Sequence, residues 1–141
     1  MSRKDIKNSI LEKQNMAEEQ AALVRNALEL SEDFVISCVH KYICYKFFLD
    51  PEEVRGLSLN KMALLSIEKA LEMKIPIAGP TEKATTCGSA GSAAMKIALL
   101  LTAMKKDFGV EIPPAKLGFA KDTEEVGRLV YHGYSKNRVL S

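Results

Sequence analysis

The sequence predicts an all-α protein: a bundle of four or five helices, with an extra helix at the N-terminus. Three observations carry that expectation. Apolar residues recur at three- and four-residue steps through most of the 141 residues. All five prolines fall outside the long periodic stretches, where they and neighbouring glycines supply stops. A hydrophobic content of 47% is enough for one core without disulfide or metal staples.

Residues 1–30 read as a charged helical arm. Its apolar stripe is narrow, Ile6, Ile10, Ala17, Ala21, Val24 and Leu28, and such a stripe packs either over the body of its own domain or against a second copy of the chain. Residues 31–134 form the predicted bundle. Ser31 can cap a helix N-terminus, and Glu32 and Asp33 complement its dipole. The helix that follows, from Phe34 to about Phe48, turns Val35, Cys38, Val39, Tyr42, Ile43 and Phe47 inward and His40, Lys41 and Lys46 outward.

Asp50 and Pro51 then mark a cap and a first helical position, opening a short turn of helix through Val54 that ends at Gly56. From about Leu59 to Met73 a further helix buries Met62, Leu65 and Leu71. Pro76, Gly79 and Pro80 deny a helix to residues 75–86, a polar, small-residue segment. The longest greasy helix follows the small residues Cys87-Gly88-Ser89-Ala90-Gly91-Ser92. It carries Met95, Ile97, Ala98, Leu100, Leu101 and Met104, and Gly109 with Pro113 and Pro114 ends it. A last helix begins near Asp122 and runs to about Tyr131, and residues 135–141 are expected to fray as a flexible tail.

Composition removes several function classes. The net charge is +2 with basic residues spread along the chain, and no aromatic platform accompanies the lysines, so nucleic-acid binding is not expected. The first residues lack an apolar signal region. Residues 97–103, the longest apolar run, fall far short of the roughly 20 residues a membrane span needs. Cys38, Cys44 and Cys87 form an odd set without Cys-x-x-Cys spacing, which argues against a disulfide framework or a structural zinc and for a reducing cytoplasm. Glu18-Glu19, Glu52-Glu53 and Glu124-Glu125 are adjacent pairs. Neighbours on a helix diverge by about 100 degrees, so these pairs are solvated faces, not a metal or acid–base site.

The opening of the greasy helix carries the functional reading. Small residues there let a group approach free backbone N–H donors where the dipole favours a phosphate. Three further segments belong with it: Phe47-Phe48-Leu49-Asp50-Pro51-Glu52-Glu53-Val54, the exit Asp107-Phe108-Gly109-Val110-Glu111-Ile112-Pro113, and Asp122-Thr123-Glu124-Glu125-Val126-Gly127-Arg128-Leu129-Val130. Together they resemble the acyl carrier protein family of small four-helix carriers, over about residues 32–134 and with a long insertion between Arg55 and Cys87.

The resemblance implies a non-enzymatic protein whose serine, in an Asp-Ser-Leu step at the start of the second helix, bears 4′-phosphopantetheine. Counting back from Phe108 without gaps puts Ala94 at that serine. Ser92 is the nearest hydroxyl and the first candidate, with Ser89 and Ser58 as alternatives. Ser58 opens Ser58-Leu59-Asn60, which is itself similar to the family's helix start. Each of these serines also fits an ordinary N-cap, a role contributing about 1 kcal/mol.

The implied partners are biosynthetic or acyl-transfer enzymes, and a homodimer through the N-terminal helix is a further expectation. The family is strongly acidic and docks on basic surfaces; this chain places Lys96, Lys105 and Lys106 on the corresponding helix, so a partner's surface should differ. Two other readings stand beside the carrier. One is a degenerate relative without the prosthetic group, serving as a helical protein–protein interaction module. The other is a thiol enzyme, with Cys87 at a helix N-terminus and His40 or His132 as its base.

Overall fold

The structure is a computed structural model that describes the backbone of residues 3–72 and 89–140, and the side chains of residues 8–69 and 93–134. Among these the chain is helical with no strand. The elements are α1 (Arg3–Asn26), α2 (Glu32–Lys46), α3 (Leu59–Glu72), α4 (Ser89–Phe108), α5 (Pro114–Gly118) and α6 (Thr123–Leu140).

The helix boundaries follow local chemistry. Ser31 Oγ accepts the N–H of Phe34 at 3.2 Å, and Glu32 and Asp33 occupy the first turn of α2. Asp122 does the same for α6, its Oδ1 accepting the Glu125 N–H at 3.0 Å, while Glu125 Oε2 reaches back to the Lys121 N–H at 3.0 Å. Gly109 ends α4 with φ +71°, and its N–H donates to Lys105 O at 3.0 Å. That is the left-handed cap a glycine adopts without Cβ strain.

The helices pack in two groups. α2 lies between α1 and α6, its most extensive neighbours, while α3 packs on α4 and α5; α1 also touches α4 and ties the groups together. The core runs through both, with Val35, Val39, Tyr42 and Ile43 of α2, Leu59 and Met62 of α3, Met104 and Phe108 of α4, and Val126 and Val130 of α6 among its buried members. Burying an aliphatic or aromatic side chain of this size is worth about 1.5–3 kcal/mol. Tyr42 and Phe108 meet edge-on with centroids 4.8 Å apart. α2 and α6 come so close that a Cβ on Gly127 would lie 2.7 Å from Ile36 Cα.

Several expectations change. The α1 stripe is spent inside the chain: Ala17, Ala21 and Val24 are wholly buried, so those residues are not a seam between copies. Leu28 lies beyond the helix end and is 96% exposed. His40 does not point to solvent and Lys46 is only half-exposed, because both find polar partners at the edge of the core. Residues 51–56 form hydrogen-bonded turns, not a turn of helix. On α4, Ala98 is exposed and Ala93 is buried. α5 was not anticipated from the sequence. The α6 backbone continues to Leu140, through the residues expected to form a tail. Leu65 is half-buried, and the side chain of Leu71 and the irregular segment 75–86 lie outside the described residues.

Candidate functional site

Two places collect the residues that the sequence singles out. The first is the opening of α4. Ser89 is the first residue of the helix and Ser92 lies in its first turn, where an α-helix leaves backbone N–H groups without intrahelical partners. The side chains of Ser89 and Ser92, and the whole of Cys87, lie outside the described residues. Ala93 is buried in the core while Ala94, the position reached by the ungapped count, is exposed. The helix therefore turns one small residue inward and the next outward just after its first turn.

Lys96, one turn beyond Ser92, is half-buried with Nζ 5.7 Å from the centre of the Phe47 ring. Burial lowers its amine below the usual lysine range. The exit of α4 is held from both sides. Tyr42 donates to Asp107 Oδ2 at 2.6 Å, and Tyr134 donates to the Phe108 carbonyl. Ser58, the remaining candidate, caps α3: its Oγ accepts the Lys61 N–H at 3.2 Å. That bond uses an oxygen lone pair and leaves the hydroxyl proton uncommitted.

The second place is a cleft of about 680 Å³ between α2, the turns at 50–56 and the start of α6. At its base His40 joins the three. Nε2 lies 2.7 Å from Pro51 O, and a carbonyl only accepts, so Nε2 carries the hydrogen. In the neutral ring Nδ1 is then the acceptor, and the Thr123 hydroxyl, 2.5 Å away, donates to it. Both ring nitrogens are committed to holding the fold. The acids on the rim are largely committed too: Asp50 Oδ1 accepts the Glu52 N–H at 2.9 Å, Asp122 caps α6, and Glu124 pairs with Arg128 at 2.7 Å.

The thiol reading finds no geometry among the described residues. The cysteine near His40 is Cys44, with Sγ 3.8 Å from Nε2. Its thiol is fully buried and pushed up to about 12, first by burial and then by the Asp50 charge, so it stays protonated and unreactive at neutral pH. Burial raises the Cys38 thiol as well. His132 is exposed, its ring edge-on to Tyr131. No group of His, Cys, Asp and Glu among the described residues is placed to hold a metal ion, and no described helix is long and apolar enough to cross a membrane.

Sequence reasoning missed the partnership of His40 with Thr123, because 83 residues separate them and neither carries a local signal. The four-residue spacing from His40 to Cys44 is a helical neighbour relation present in any helix. Comparison of the chain with family models, with curated proteins and with solved structures finds no match.

Proposed function

We propose that the chain is a carrier-like protein that presents an acyl or aminoacyl group on a phosphopantetheine arm to biosynthetic or acyl-transfer enzymes. The observation that carries this reading is α5. A five-residue helix lies between the exit of α4 and the start of α6; with the 14-residue α3 assigned to the long insertion between Arg55 and Cys87, α2, α4, α5 and α6 supply the four helices of a small four-helix carrier. The Ile112-Pro113-Pro114 step sets it up, since Pro114 takes the first helical position, where its missing N–H costs nothing.

Ser92 is the residue assigned to the arm, with Ser89 and Ser58 as alternatives. The α4 N–H groups supply the positive end of a helix dipole for the phosphodiester. In this role the protein does not catalyse: the arm's terminal thiol, when present, holds the cargo as a thioester, and the chain positions it. A second reading, the degenerate interaction module without an arm, is favoured by one observation, the exposed Ala94 at the ungapped serine position. Pairing of two copies through α1 would use its exposed Leu11 and Leu23, since Ala17, Ala21 and Val24 of the predicted stripe are buried.

Intact mass spectrometry after co-expression with a phosphopantetheinyl transferase separates the two readings. The carrier gains the mass of one phosphopantetheine, and Ser92→Ala loses it. An unmodified chain, under conditions that load a control carrier, leaves the interaction module.

A further inference from the structure

His40 gathers three parts of the chain around one cleft. Its ring meets the Pro51 carbonyl at 2.7 Å through Nε2 and the Thr123 hydroxyl at 2.5 Å through Nδ1. The chain neighbours of those two residues, Asp50 and Glu52 beside the first and Asp122 and Glu124 beside the second, therefore flank one imidazole, and all four line the cleft. The third wall is the face of α2 that bears His40. Asp33 and Ser37 stand seven and three residues before it, the spacing of one helical face, and line the cleft with Lys41.

The cleft is charged with both signs. Five carboxylates and two cations, Lys41 and Arg55, line it, in a chain whose net charge is +2. Glu124 pairs with Arg128, and Asp50 and Asp122 each commit one oxygen to a backbone N–H. The side chains of Asp33, Glu52, Lys41 and Arg55 make no hydrogen bond or ion pair among the described residues. Acids and cations thus share one concavity of about 680 Å³ without neutralising one another. No group of acids among the described residues is placed to hold a metal ion, so these carboxylates are spaced for an extended cation and not for a point charge.

We propose that the cleft binds a small zwitterion with a second amine, the class of a basic α-amino acid. Arg55 and Lys41 receive its carboxylate, and Asp33, Glu52 and the free oxygens of Asp50 and Asp122 receive its ammonium groups. The volume is within the range, roughly 300–1,000 Å³, that holds a small organic ligand. Arg55 brings the planar fork that grips a carboxylate through two bonds. A plain polyamine leaves Lys41 and Arg55 facing a like charge, and a phosphate or nucleotide meets the excess of acids, so repulsion from the walls disfavours both. None of the candidate serines lines the cleft, and the site stands whether or not Ser92 is modified.

Amide NMR titration of the full chain with L-lysine at low salt tests it. The expected result is saturable shifts centred on residues 33–41, 50–56 and 122–124, with an apparent Kd of about 1 mM or tighter. L-glutamate, which keeps the backbone zwitterion and reverses the side-chain charge, should bind about tenfold more weakly. Arg55→Gln should weaken L-lysine about tenfold and leave putrescine, a diamine without a carboxylate, no weaker than before. Glu52→Gln should weaken both ligands. Arg55 and Glu52 are exposed, the ligand-free spectrum shows whether each variant is folded, and the comparison of L-lysine with L-glutamate on the wild-type chain needs no variant. No saturable shift up to about 10 mM L-lysine, shifts centred outside the cleft, equal affinity for L-glutamate, or a folded Arg55→Gln or Glu52→Gln chain that binds L-lysine as the wild type does would overturn the proposal.

Discussion

Gly127 shows how tightly single residues are set. Its absent Cβ would lie 2.7 Å from Ile36 Cα, a backbone atom that side-chain rearrangement does not move. Gly127→Ala should therefore destabilise the protein by about 1–3 kcal/mol, read as a lower urea midpoint with unchanged slope. Shortening the opposing side chain in Ile36→Ala should not rescue it, because the obstructing atom remains. His40 acts by polar contact. His40→Ala leaves the Thr123 hydroxyl and the Pro51 carbonyl without their ring partner, at a cost of about 1–3 kcal/mol. Faster amide exchange in residues 51–56 would show where the cost falls.

The two buried acids of α2 set the alkaline limit. Cys44 is raised from 9.0 to about 12, and Tyr42 is raised as well, by burial first and then by its bond to Asp107. The folded state holds both groups in the neutral, protonated form. Their contribution is thus complete below about pH 9, the ordinary thiol value, and is lost as pH rises toward the folded value. The melting temperature should fall steadily from about pH 9 to 12, and Cys44→Ala should make that fall shallower.

At the scale of elements, what was legible in the sequence is what chemistry writes locally. The Ser31 cap of α2, the Gly109 stop of α4 and the acidic start of α6 each rest on residues within four positions of one another, and each lies where the pattern places it. Ser31→Ala should cost about 1 kcal/mol, measured by thermal unfolding. What was not legible depends on partners far along the chain. The narrow α1 stripe does not say whether it faces α2 or a second copy, and packing decides for α2 by burying Ala17, Ala21 and Val24. α5 was hidden because five residues are too few to show a period. One leucine anchors it, so Leu117→Ala should cost about 2–5 kcal/mol in unfolding experiments, one of the larger penalties of any single truncation here.

At the scale of the molecule, the bundle joins two helical groups through α1 and places its candidate chemistry at their edges. His40 was expected to face solvent and is a junction; with Thr123 and the Pro51 carbonyl it holds three segments together. The three serines differ in what surrounds them: Ser58 is a working cap, while Ser89 and Ser92 share the first turn of α4. The sequence could offer all three because a serine at a helix start is written the same way whether it caps or carries.

Peptide mapping of the wild-type chain, purified after co-expression with a phosphopantetheinyl transferase, weighs these serines directly. Trypsin releases Ser58 between Gly56 and Lys61, and Ser89 with Ser92 between Ala84 and Lys96. The carrier account predicts one phosphopantetheine on the second peptide, at Ser92, and an unmodified first peptide. Finding both peptides bare, while a control carrier in the same cells is loaded, would contradict it.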